Sequence, residues 1–124
     1  MAKIESYRDL IAWQKALALA KLCYQTTRSF PRDEAFGMTT QKRRSAASNP
    51  ANIAEGYGRE STGAYIQFLR ISQGSLKELE THILLAEAVE LMPKEDSEQI
   101  LQLCDQVGKL VRALIRALQA KGRD

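Results

Sequence analysis

The chain is poor in the residues that carry most protein chemistry. It has one histidine, His82, and two cysteines, Cys23 and Cys104, in 124 residues. A lone histidine excludes the paired Glu-x-x-His motifs of helix-bundle di-iron sites, and Glu78 and His82 are four apart with no second set to join. The cysteines are distant in sequence and lie in apolar stretches without a CxxC spacing. They read as reduced, buried thiols of a reducing compartment rather than as a metal or redox site. No apolar run approaches the roughly 20 residues that span a bilayer. The N-terminus, MAKIESYRDL, has no apolar stretch after its lysine, so no secretory signal is expected and the expected location is cytoplasmic. A glycine loop before a helix and a nucleophile beside a base are also missing. No catalytic residue, cofactor or metal is assigned, and the expectation is a protein that is not an enzyme.

What the chain does have is helical periodicity. Its length predicts a single domain over residues 1–124, with helices over about 7–29, 39–57, 62–91 and 94–121. In the first, Leu10, Trp13, Leu17, Ala20 and Tyr24 alternate steps of three and four. Ser6 and Asp9 have the spacing of a capping box, and Phe30-Pro31 ends the helix. Thr39 or Thr40 is the expected N-cap of the second. In the third, Leu69, Ser72, Leu76, Leu79, Ile83 and Ala86 form the stripe. Pro93 marks the next turn, and Ile100, Leu103, Val107, Leu110, Leu114 and Ala117 repeat the rhythm in the fourth. Four such helices joined by short loops predict an all-α, antiparallel, up-down-up-down four-helix bundle. Ile11, Ala18 and Leu22, and Cys104, Val111 and Leu118, form second apolar rows, which points to a homo-oligomer.

Charge is unevenly spread along the chain. Residues 1–44 hold nine Lys/Arg against four Asp/Glu, whereas Glu78 to Glu98 holds seven acids and one lysine. A second basic group, Lys109, Arg112, Arg116, Lys121 and Arg123, closes the chain. Separation of this kind can steer a polyanion. The candidate phosphate-contacting residues are Lys42, Arg43, Arg44, Arg59, Lys109, Arg112 and Arg116. Lys42, Arg43 and Arg44 are consecutive and spread around a helix, so at least one packs or pairs internally. Arg43 or Arg44 is expected to bond Glu55, Glu78 or Glu80, across the bundle or between subunits.

The segment from Gln41 to Arg59 breaks local rules. Pro50 interrupts the second helix, either kinking it or restarting it with Ser48 as cap. Asn52 and Glu55 read as partners for backbone groups freed by Pro50. Gly56 reads as a left-handed turn closed by Arg59. Gly74-Ser75 on the third helix reads as a place of close helix approach. Phe68 is expected in the core; Tyr57 and Tyr65 are either core or exposed rings able to stack on a base.

Several of these pieces, in order and at these spacings, resemble one family. They are Tyr7-x-Asp9-Leu10-x-x-Trp13-Gln14-Lys15-Ala16, Phe30-Pro31, Glu34-x-Phe36-Gly37, Gln41-x-Arg43-Arg44, Asn52-Ile53-Ala54-Glu55-Gly56, Gly58-Arg59 and Phe68-Leu69-x-x-x-x-Gly74-Ser75-x-x-Glu78-Leu79-Glu80-Thr81. The chain resembles, over Tyr7 to about Leu91, the bacterial four-helix-bundle proteins known from intervening sequences of 23S ribosomal RNA genes. The resemblance implies a ring-like homopentamer with a central funnel. It also implies a distant likeness to the accessory protein of diversity-generating retroelements, a basic pentameric bundle that associates with a reverse transcriptase and nucleic acid. Asn49 departs from the family pattern, which has an aliphatic residue before the proline.

The expected function is that of a non-enzymatic homo-oligomer that associates with RNA or DNA through basic helix faces. The alternative is an adaptor that docks a protein partner, such as a nucleic-acid enzyme or a ribosome-related factor, through its apolar rows.

Overall fold

The computed structural model describes residues 3–122. Four helices, α1 (Ile11–Thr27), α2 (Thr40–Tyr57), α3 (Thr62–Ala88) and α4 (Lys94–Gly122), account for most of it, with no strand among the described residues. Each helix packs on its neighbour in sequence and α1 packs on α4, which closes a four-helix bundle.

The capping box forms one turn earlier than a cap for α1 requires. Ser6 Oγ accepts from the Arg8 amide at 3.1 Å and Asp9 Oδ2 accepts from the Ser6 amide at 3.1 Å. These bonds close a separate 3-10 turn, Tyr7–Asp9, and α1 starts only at Ile11 without a side-chain cap. Thr39 is not a cap either: a π turn, Ala35–Thr39, runs straight into α2, and Thr39 has helical backbone angles. Ser61 does cap α3, accepting from the Ala64 amide at 3.1 Å. That helix stops at Ala88, three residues short of expectation, because Glu90 turns left-handed at φ 63°. The Leu91 amide then reaches back to the Ala86 carbonyl (2.8 Å) and the Glu90 amide to Glu87 (3.1 Å), the paired bonds of a Schellman stop.

The core confirms the α3 stripe residue for residue: Leu69, Ser72, Leu76, Leu79, Ile83 and Ala86 are all buried. On α1 the buried side is instead Ala12, Ala16, Leu19, Ala20, Cys23 and Thr27, so Leu17 and Tyr24 face solvent and Leu10 and Trp13 are half-buried. On α4 the centre of the stripe runs through Ile100, Cys104, Val107, Val111 and Ile115. Cys104 and Val111 therefore belong to the monomer core rather than to a second face. Both cysteines are free and buried, and burial pushes the Cys23 thiol up to about 12.

Helix α2 continues through Pro50 without restarting. The side chains around it tie it to α3. Asn49 Nδ2 donates to the Ser45 carbonyl at 3.0 Å, and Asn49 Oδ1 accepts from Ser72 Oγ at 2.9 Å. Asn52 Nδ2 donates to the Ser48 carbonyl at 2.8 Å and to Ser48 Oγ at 2.9 Å, and that hydroxyl lies 2.8 Å from Ser75 Oγ. Asn49 thus makes a buried hydrogen bond between α2 and α3. Glu55 plays no part in this seam; it is exposed, 3.9 Å from Arg59.

Gly56 is not a left-handed turn, since no described glycine has positive φ. It is the close approach of α2 to α3: a Cβ there would sit 3.0 Å from Phe68 Cβ and 3.1 Å from the Tyr65 carbonyl. Gly74, expected to play that role, faces open space. Gly56→Ala should therefore cost about 1–3 kcal/mol through overpacking, read as a lower denaturant midpoint. An unchanged midpoint would mean that the two helices do not meet there. Glu90→Gly should raise stability by about 0.5–1 kcal/mol by relieving the left-handed residue, and no gain in the same measurement would argue against the Schellman stop.

Candidate nucleic-acid interface

Residues 106–122 contain no acid, and Lys109, Arg112 and Arg116 recur there at steps of three and four. All three are exposed on one stripe of α4. Lys109 is partly neutralised by Asp105, 3.1 Å away. Arg112 and Arg116 have no ion-pair partner among the described residues. Arg112 also lines a cleft between α4 and α3 with Gln73, Lys77 and Glu80. Lys77 stands 3.0 Å from Glu80 on the α3 side, and Arg70, one turn before Gln73 and exposed, extends the same stripe of α3. Arg70 and Lys77 were missed in the sequence because each is isolated from other bases along the chain. Arg123, the last base of the C-terminal group, lies outside the described residues.

The basic cluster of α2 is divided among three environments. Lys42 is fully buried, with a relative exposure of 0%, so it cannot meet a phosphate in this fold. Its Nζ lies 4.3 Å from the centre of the Phe30 ring and has no hydrogen-bond partner among the described residues. Arg43 is held against α1: Nε donates to Thr27 Oγ1 at 2.9 Å, one terminal nitrogen to the Tyr24 carbonyl at 3.4 Å, and the guanidinium stacks 4.8 Å over the Tyr24 ring. Neither Arg43 nor Arg44 bonds Glu55, Glu78 or Glu80. Arg44 is exposed and lines a hollow with Gln41, Ser48, Ser75 and Glu78. At the far end of α2, Arg59 pairs loosely with Glu55 and lies 4.7 Å over the Phe68 ring. Tyr57 and Tyr65 meet edge to face at 6.2 Å, and both are partly buried.

The seven candidate bases therefore do not form one surface. The α4 stripe stays together, and the α2 residues face in different directions. Among the described residues no group of three or more His, Cys, Asp or Glu could hold a metal ion, and no helix is long and apolar enough to cross a membrane. His82 instead stands 3.5 Å from Glu78 on the same helix.

The family model of the 23S rRNA-intervening sequence protein matches residues 8–113. The chain belongs to that family. Among solved structures it is similar to a protein of unknown function from the S23 ribosomal protein family of Bacteroides thetaiotaomicron. The two share 26% identity with a TM-score of 0.76, over 85% of this chain and 98% of that one. No curated protein matches the chain. The match to the 23S rRNA-intervening sequence protein family takes in most of α4, including Lys109 and Arg112, and stops short of Arg116.

Lys42 makes the fold pH-sensitive. Burial pushes its amine from 10.5 down to about 8, partly opposed by Cys23 and Glu34. Below pH 8 the amine is protonated in both the folded and unfolded states, and the cost of burying the charge is constant. Above it the unfolded chain holds the proton longer, so stability rises with pH. Raised values of Cys23 and Tyr65, each about 12, act in the opposite direction from about pH 9 upward, which confines the Lys42 effect to pH 7–9. Lys42→Met should be more stable than the parent at pH 7, with its advantage shrinking by about 1 kcal/mol by pH 9. Denaturant titrations of both proteins test this, and a difference that does not change with pH would contradict a buried charged amine.

Proposed function

We propose that this protein is a non-enzymatic, homo-oligomeric bundle that associates with the phosphate backbone of RNA or DNA through the basic face of α3 and α4. The observation that carries the reading is the acid-free run 106–122 on which Arg112 and Arg116 stand exposed and without an ion-pair partner among the described residues, Arg112 sharing a cleft with Lys77. Guanidinium groups in that state are available for bidentate contact with phosphate oxygens. Contacts of this kind supply affinity without reading sequence. The family name links its members to intervening sequences of 23S rRNA, which favours RNA as the natural polyanion. An antiparallel up-down-up-down arrangement, a homopentameric ring and a cytoplasmic location complete the proposal. The exposed Ile11, Leu17, Leu84 and Val89 favour protein contacts as a second reading, in which the bundle is an adaptor.

Binding of labelled RNA and DNA by the purified protein across a salt series tests the function. Affinity should fall steeply with salt. Arg112→Glu with Arg116→Glu should weaken it at least tenfold and flatten the salt slope by about one for each phosphate that no longer has a cationic partner. Unchanged affinity would remove α4 from the interface. Absence of binding at low salt would leave the adaptor as the standing interpretation.

A further inference from the structure

Gln41, Arg44, Ser75 and Glu78 all belong to the motif pieces quoted from the sequence, and the basic cleft between α3 and α4 uses none of them. The fold brings the four together. With Ser45 and Ser48 they line a hollow of about 360 Å³ between α2 and α3, a size within the range of small-molecule sites. Every lining side chain is polar or charged. Ser75 and Glu78 lie on the other side of α3 from Gln73, Lys77 and Glu80 of the basic cleft.

The hydrogen bonds around this hollow leave several groups free. Ser45 Oγ donates within its own helix, to the Gln41 carbonyl at 3.0 Å. Ser48 and Ser75 instead meet across the helix interface, their hydroxyl oxygens 2.8 Å apart, and Ser48 Oγ also accepts from Asn52 Nδ2 at 2.9 Å. The two serines hold two hydroxyl hydrogens and their mutual bond uses one. The other has no acceptor among the described residues, whichever serine carries it. Neither the Arg44 guanidinium nor the Gln41 amide has an ion-pair or hydrogen-bond partner among the described residues. Glu78 Oε1 stands 3.5 Å from His82 Nε2, at the outer limit of a hydrogen bond, whereas its Oε2 has no partner among the described residues.

These charges define the ligand. A phosphate drawn to Arg44 meets the Glu78 carboxylate, a simple cation drawn to Glu78 meets the guanidinium, and an apolar molecule leaves the polar walls unpaired. A molecule that carries a carboxylate and an ammonium on neighbouring atoms satisfies both ends. We propose that this hollow binds a small polar α-amino acid. Arg44 and the spare serine hydroxyl hold its carboxylate, Glu78 accepts from its ammonium group, and the Gln41 amide, able to donate and to accept, meets its side chain. Arg44 and Glu78 are exposed, so water weakens both contacts and the affinity is millimolar rather than nanomolar. The site does not depend on the phosphate-backbone reading.

Equilibrium dialysis of the full-length protein against labelled L-serine, L-asparagine and L-glutamine tests the site, with acetate and methylammonium as half-ligands and the unfolding midpoint of each variant as the check on its fold. At least one of the three amino acids should bind with a millimolar or lower dissociation constant, and both half-ligands at least tenfold more weakly. Arg44→Gln should keep the parent's midpoint and weaken binding by about tenfold or more, since it removes a charge-assisted contact. Glu78→Gln should hold the amino acid no more tightly than it holds acetate. No binding of any of the three by the folded protein at millimolar concentrations, equal binding of acetate by the parent, or an Arg44→Gln variant that binds as the parent does would each overturn this inference, and none of these results bears on nucleic-acid binding.

Discussion

The structure depends on the fact that α2 must be buried with very little to bury. Its enclosed residues are Lys42, Ser45, Ala46, Asn49, Pro50, Ile53 and Gly56, of which only Ile53 is a large aliphatic. Transfer of apolar surface from water supplies most of the stabilisation in an ordinary helix interface. Here close approach and hydrogen bonding take over much of that work. Gly56 brings the backbones near enough for Phe68 and Tyr65 to pack directly on α2, and the Asn49–Ser72 and Ser48–Ser75 contacts fix the register of α2 against α3. Shifting α2 along α3 would leave an amide and hydroxyls buried without partners, which costs more than giving up the packing of a methyl group. The polar seam therefore selects one alignment.

Lys42 follows from the same scarcity. A long methylene stem can fill space that the small residues of α2 leave empty, and its amine then lies over the Phe30 ring, with no hydrogen-bond partner among the described residues. That position joins α2 to the segment after α1, where the chain passes through a 3-10 and a π turn in succession. The cost is a desolvated amine whose proton is held less tightly than in water.

How much of this was legible depended on contrast within each helix. The α3 stripe was read correctly because its large aliphatics are separated by polar residues. On α1, alanine and leucine occur on every side, and steps of three and four starting from Leu10 are as regular as those starting from Ala12. Only packing against α2 and α4 decides between them. Lys42 was unreadable because a lysine between basic neighbours looks solvated, and nothing local reveals that Phe30 folds back over it. Gly56 has the close-approach role expected of Gly74, and Gly74 faces open space, since sequence identifies a residue without a side chain but not what stands opposite it. Pro50 was placed inside the helix, but Asn52 bonds the Ser48 carbonyl rather than that of Ala46, which Pro50 leaves without its helical donor, and the exposed Glu55 faces Arg59.

The charge distribution on the outside follows from what the inside consumes. Of the three consecutive bases on α2, one is buried and one is fixed to α1, so the region richest in positive charge offers little of it to a ligand. The α4 stripe is modest in sequence, yet residues 106–122, which carry its arginines, contain no acid. A single bundle presents too few such groups for tight hold on a polyanion at physiological salt, where each phosphate contact is weakened by counterion competition. Repetition changes that balance. In the proposed homo-oligomer, once one copy is bound, the basic stripes of the other copies act at high effective concentration, and weak contacts combine into strong attachment without any new chemistry. A bundle that both assembles and holds phosphate, as proposed, can use assembly itself to set its affinity.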